Sequence, residues 1–238
     1  MKKLEISIDD LKYNLNSIKS YAKENGAGII AVVKANGMGL DLIKYSNFLL
    51  NNNIQILAVA TVDEAISIKK NIETDVDILM LSEVFDENEI ELLIKNDIIF
   101  TIGSLDVKEK INELAIKNDK KVRAHIKIDT GFGRYGFLYY NETEILEAIE
   151  NTENIEICGV YTHFSKPIDK KWTCTQFERF RNLIPKIKEI NPKIIFHCSS
   201  STAGLLYPEM CLDAIRIRLM YSRKNFKKYF GIKKNRNF

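Results

Sequence analysis

No apolar run in this 238-residue chain approaches the roughly 20 residues that a membrane-crossing helix needs. Cysteine is scarce: Cys158, Cys174, Cys198 and Cys211 show no CxxC spacing, which argues against a redox or zinc-ribbon motif. They fit reduced cytoplasmic thiols packed as small hydrophobes, and no metal site is expected. The start, Met1-Lys2-Lys3-Leu4-Glu5, meets an acid too early for a secretory signal. Charge of one sign is also nearly lacking in excess, at a net +3. Even that excess is local, because residues 222–238 hold seven Lys/Arg and no acid. The rest of the chain carries 28 basic against 32 acidic residues, so nothing marks the whole protein as nucleic-acid binding. What is present is enough for a large core: 45% hydrophobic and 28% charged residues, which excludes global disorder.

Apolar, β-branched runs alternate with helical patterns along most of the chain. Strands are expected near Ile29–Val33, Ile56–Ala60, Val76–Leu81, Ile98–Ile102, Val122–Ile128, Ile155–Tyr161, Ile194–Phe196 and Ala214–Ile217. An opening helix over Ile8–Ala22 sets Leu11, Leu15, Ile18 and Ala22 on one face. Thr61-Val62-Asp63-Glu64 has capping-box form, and Asp86-Glu87-Asn88-Glu89 places acids in a first turn. Eight strands with helical crossovers predict a closed (β/α)8 TIM barrel of the α/β class over residues 1–221. An open doubly wound sheet is the alternative that strand counting leaves. After Ile217 the alternation fails, and residues 222–238 read as a basic tail with too little apolar surface for a domain.

Chemistry concentrates at predicted strand ends. Lys34 closes the run Ile29–Val33, where ligands sit in α/β folds. An amine held there, partly desolvated, can lose its proton and form a Schiff base, although a surface lysine at a strand end reads the same way locally. Lys127-Ile-Asp-Thr-Gly-Phe-Gly-Arg-Tyr-Gly-Phe137 follows the fifth strand; its glycines permit close backbone approach and Arg134 adds a fork of donors. His163 ends the sixth strand, and His197-Cys-Ser-Ser-Ser-Thr202 ends the seventh with hydroxyls suited to a phosphate. Arg216 emerges from the eighth.

Together these segments resemble the barrel domain of the alanine racemase family, the fold-type III pyridoxal-phosphate (PLP) enzymes. The similarity runs in order from about Leu4 to Arg216 and rests above all on Val-Val-Lys-Ala-Asn-Gly-Met-Gly (32–39) and on residues 127–137. Tyr161–Ser165, the loop from His197, and Leu212–Arg216 add to it. The resemblance implies an amino-acid racemase, with alanine as the expected substrate for peptidoglycan synthesis. Lys34 would be the Schiff-base lysine and one catalytic base. Arg134 would bond the cofactor's phenolic oxygen, with Lys127, carbamylated in some members, buttressing it. His163 would pack on the pyridine ring, His197 would support the polar network, Ser201 would bind phosphate, and Arg216 would face the pyridine nitrogen. A non-enzymatic PLP-homeostasis barrel of similar length is the alternative.

Three departures stand out. Met38 replaces the family's tyrosine, and Arg218 replaces a glycine that follows the strand-eight arginine. The family's C-terminal β-domain, which carries a second-base tyrosine donated across a homodimer interface, is expected to be missing. A weakened dimer and a truncated or frame-shifted product are the corresponding expectations.

Overall fold

The structure, a computed structural model, describes residues 5–150 and 153–218. The basic tail at 222–238 lies outside the described residues. Among the described residues nine parallel strands follow in chain order: β1 Gly28–Val32, β2 Ile56–Val59, β3 Asp77–Met80, β4 Phe100–Ile102, β5 Val122–Asp129, β6 Phe137–Leu138, β7 Ile155–Tyr161, β8 Ile195–His197 and β9 Ala214–Ile217. β6 is a two-residue addition to β5. The other eight form two curved sheets, ordered β3-β2-β1-β9 and β4-β5-β7-β8. Isolated parallel bridges close the seams, Leu79 to Ile99 and Ser200 to Arg216. The ring is therefore complete, and the barrel expectation replaces the open-sheet alternative.

The helices coat the outside because each carries one apolar stripe. In α1 (Ile8–Glu24), Leu11, Leu15, Ile18 and Ala22 are all buried, and Ser7 caps the start by accepting from the Asp10 N–H. Burying one such side chain contributes about 1.5–3 kcal/mol, so Leu15→Ala would cost about 2–5 kcal/mol once the cavity is counted. Thr61 Oγ1 accepts from the Glu64 N–H, and Asp86 Oδ1 from the Glu89 N–H, as the sequence leads one to expect.

Strand alternation divides the core in two. Outward residues such as Ala31, Leu57, Ile78, Ile126 and Ile215 pack against the helices. Inward residues Ile30, Ala58, Leu79, Ile99 and Ala214 form a small separate cluster inside the barrel. Elsewhere along the lumen the same parity is polar: His125 and Lys127 on β5, His197 on β8, Arg216 on β9, all buried. A register shift against β5 pairs Ala124 with Ile157 but His125 with Gly159, leaving Cys158 as an extra residue on β7. That bulge reverses the parity of β7 and brings buried Tyr161 into contact with His197.

Candidate active site

Immediately after β1 the chain turns left-handed. Ala35, Asn36, Gly37 and Met38 have φ of 55°, 54°, 63° and 57°. Left-handed backbone costs a non-glycine residue roughly 1–2 kcal/mol, so this turn is held by other bonds. Asn36 Oδ1 accepts from Leu42 N at 2.9 Å, and Glu64 receives both Asn36 N–H and Ala60 N–H. A Cβ on Gly37 would lie 3.2 Å from the Leu42 backbone. The turn sets half-buried Lys34 at the carboxyl end of β1, near enough that its charge bears on His163.

Arg216 is the centre of the site. Its Nη1 lies 2.6 Å from His197 Nδ1 and also donates to His197 O; its Nη2 donates to Thr162 O and Cys198 O and lies 3.3 Å from His163 Nδ1. Among the described residues none of these bonds uses Nε. The guanidinium also sits 5.0 Å from the centroid of the Tyr161 ring. Tyr161 in turn stacks on His197 at 4.9 Å and 9° and bonds Thr101 Oγ1 at 3.0 Å. His197 Nε2 meets His125 Nδ1 at 2.9 Å.

Burial makes these imidazoles poor bases, and the neighbouring cations reinforce it. Burial, then Arg216, Arg134, Lys127 and Lys34, push His163 down to about 3. His125 falls to about 3 through burial, Arg216 and Arg123. His197 lies well below its ordinary value through burial, Arg216 and His125. All three are neutral at pH 7. Lys127 is pressed down to about 8 by burial and by Arg134 and Arg216, against Asp129 and Glu83. Its ammonium donates to Tyr135 O at 2.5 Å and lies 4.5 Å from the Tyr135 ring centroid.

The glycine-rich loop is wound around one carboxylate. Asp129 accepts four backbone N–H groups, from Gly131, Phe132, Gly133 and Arg134, at 2.7–2.9 Å. Burial would raise its carboxyl; those donors and Lys127 outweigh burial and hold it below the usual range. Gly131, Gly133 and Gly136 take φ of 124°, 74° and 118°, values that only glycine adopts without strain. Arg134 is exposed at the loop's tip, its guanidinium 4.5 Å from the Phe132 ring, and Phe132 contacts His163 at 5.7 Å. Arg179, on the helix Lys170–Arg181, braces the loop from outside. It donates to Thr130 O at 2.9 Å and stacks on Tyr139 and Trp172.

Ser201 begins the short helix Ser201–Leu206, and its Oγ accepts the Arg218 N–H at 2.9 Å. The structure thus brings Arg216, His163 and His197 into direct contact. Lys34, Lys127 and Arg134 lie within electrostatic reach of that group, and Ser201 lies beside Arg216 at the β8–β9 seam. The sequence did not single out Asp129, His125, Tyr161 or Arg179. Period-two alternation along β5 was the available signal for His125, which shares its parity with Lys127.

Fold and site together define a (β/α)8 barrel with cationic side chains and neutral imidazoles gathered toward the carboxyl ends of its strands. Residues 6–220 match the family described as alanine racemase, N-terminal domain. The chain belongs to the alanine racemase family. It is 34% identical to an alanine racemase of Clostridium kluyveri, covering 89% of this chain and 54% of that protein. An alanine racemase of Methanococcus maripaludis is 35% identical, with 89% and 57% covered. The solved alanine racemase of Clostridium difficile 630 superposes with a TM-score of 0.82 at 33% identity, over 90% of this chain and 56% of that one. The chain therefore spans about half the length of the curated relatives it matches.

Proposed function

We propose that this chain is the cofactor-holding barrel of an alanine racemase, binding PLP and serving the interconversion of L- and D-alanine. The observation that supports the reading is that Lys34 follows β1 directly and its charge bears on His163, the same imidazole that Arg216 Nη2 approaches at 3.3 Å.

The donor set fits PLP. Three cationic side chains, Lys34, Arg134 and Arg216, bear on His163, and an anionic ring substituted by phosphate and phenolate calls for such charge. Arg216 would face the ring nitrogen, Arg134 the phenolic oxygen, His163 the ring, and Ser201 the phosphate, with Lys34 holding the aldehyde carbon. Lys127 would steady Arg134 through Tyr135, and His197 steadies Arg216. Arg218 brings a side chain where the family has glycine, and its N–H is taken by Ser201. Met38 offers no hydroxyl to the phosphate.

When bound, PLP supplies stabilisation of a carbanion at the substrate's Cα. The protein's part is orientation and proton movement. Lys34 Nζ removes or returns the Cα proton on its own face of the substrate. Arg216 would donate a hydrogen bond to the ring nitrogen while keeping its own proton near neutral pH, and so would supply no proton to the cofactor. Such a partner would favour returning a proton to Cα over transamination. The reading has the protein in the cytoplasm, acting on a small amino acid, with a homodimer weakened by loss of the C-terminal domain and no nucleic acid or membrane partner. Among the described residues no helix is long and apolar enough to cross a membrane. A PLP-carrying barrel without turnover is the competing reading.

A visible-absorbance scan after adding PLP, followed by a chiral assay for D-alanine, tests the proposal. Proton exchange at Cα, followed by NMR in deuterated solvent, reports Lys34 separately from net racemisation. PLP binding with neither exchange nor D-alanine would leave the homeostasis reading; no PLP binding would refute both.

A further inference from the structure

Buried inside the barrel, two hydrogen bonds from Arg216 by way of His197, lies an imidazole that the proposed chemistry does not use. His125 is 3% exposed, and its Nδ1 faces His197 Nε2 at 2.9 Å. His197 Nδ1 faces Arg216 Nη1 at 2.6 Å. A guanidinium nitrogen donates and never accepts, so His197 Nδ1 must be an acceptor. A neutral imidazole carries its one proton on the other nitrogen, so His197 is protonated at Nε2 and donates to His125 Nδ1. His125 must then carry its proton on Nε2. A second proton on either ring would set two donors face to face.

We infer that His125 is a positioning residue for Arg216: by accepting from His197 it fixes the tautomer that receives the Arg216 Nη1 proton, and so aims the guanidinium at the ligand. The backbone is fitted to this ring. A Cβ at Gly159 would lie 2.6 Å from three His125 ring atoms. The extra residue at Cys158 is what brings Gly159, rather than a residue with a side chain, opposite His125. Tyr161 lies flat on His197, so the middle ring is held on its face as well as at both nitrogens. The groups around the chain are Arg216 on β9, Arg123 on β5, and Tyr161 on β7. Among these no carboxylate is available to stabilise a second proton on either imidazole.

The functional meaning rests on the proposed cofactor reading, whereas the tautomer test does not. The chain has only three histidines, so long-range proton–nitrogen NMR of the 15N-labelled protein without cofactor resolves each ring. At pH 7, His125 and His197 should both appear as neutral Nε2–H tautomers, with a slowly exchanging His197 Nε2 proton. His125→Asn keeps an acceptor near the Nδ1 position and should preserve the His197 and Arg216 signals. His125→Phe keeps the shape without the acceptor and should lose the protected proton and shift Arg216 Nε. Gly159→Ala, which displaces the ring through the backbone, should do the same. With PLP added, the Phe variant should bind about tenfold more weakly and the Asn variant like the parent, tenfold being the scale of one lost hydrogen bond. His197 protonated at Nδ1 in the parent would overturn the inference, as would Phe-variant spectra identical to the parent's. If the parent shows the expected tautomers but binds no PLP, the cofactor reading fails and the tautomer chain stands.

Discussion

Asp129→Asn isolates the carboxylate that shapes the loop carrying Arg134. In the parent both oxygens accept two backbone N–H groups each, at 2.7–2.9 Å. Asparagine keeps one acceptor oxygen, while its NH2 group would face the other two N–H donors. Two charge-assisted bonds are lost, nominally about 1.5–3 kcal/mol each. The loop is half-exposed, so water replaces part of that, and the expected destabilisation is about 3 kcal/mol. Such a loss is a large share of a typical domain's 5–15 kcal/mol or so. Urea unfolding followed by circular dichroism measures it. Trp172 gives a local reading, because it is the only tryptophan and its ring lies against Gly131. Its emission should shift in the folded variant as Gly131 moves. The pH dependence has a defined sign. Asp129 is held below its usual range, so its contribution is complete above the unfolded carboxyl value near ~3.9 and is lost as pH falls through the folded value. The gap between parent and variant should therefore close in acid. A loss under about 1 kcal/mol with unchanged Trp172 emission would refute this account of the loop.

Other outcomes follow from the same geometry. Lys34→Ala should abolish borohydride trapping of PLP while leaving the circular dichroism spectrum unchanged; peptide mapping that finds the label on another lysine would displace Lys34 from its role. Ser201→Ala should weaken PLP binding by about 1–3 kcal/mol in an absorbance titration, provided nothing replaces the hydroxyl; an unchanged affinity would remove Ser201 from the phosphate site. Histidines that stay neutral when folded make the protein acid-sensitive, because the unfolded chain binds more protons below about 6.5. His125 and His163, both down to about 3, should together cost about 2–3 kcal/mol between pH 7 and 5.5. Urea midpoints that stay flat over that interval would contradict the neutral assignment.

The eight strands were legible because each is a continuous apolar run bounded by polar or glycine residues, and a buried parallel strand needs little else. The caps at Thr61 and Asp86 were legible because capping is local. The residues now forming the site stood at the ends of those strands, so their common end of the barrel could be expected from topology alone. The left-handed turn after Lys34 could not be. Only Gly37 and Gly39 hint at it, while Ala35 and Met38 are held there by Asn36 and by Glu64, which is distant in sequence. The β7 bulge was equally hidden: Ile155 to Tyr161 reads as one regular strand until Gly159 is set against the ring of His125. Arg179 reaches the loop through packing of a helix 40 residues farther along, a relationship that no local pattern encodes.

The barrel's two seams give Arg216 a mechanical meaning. One half-shell, β9-β1-β2-β3, carries Lys34; the other, β4-β5-β7-β8, carries Lys127, His163 and His197 at its strands and their ends. Arg216 belongs to the first shell, yet its guanidinium fastens onto Thr162, His163, His197 and Cys198 of the second. The side chain proposed to face the cofactor is thus also the rivet between the shells. Any molecule that grips Lys34 on one side and the β5 loop on the other spans the same joint. On the proposed cofactor reading, occupancy of the site and closure of the barrel become a single mechanical variable, legible in how slowly the amides of Ser199 and Arg216 exchange with solvent.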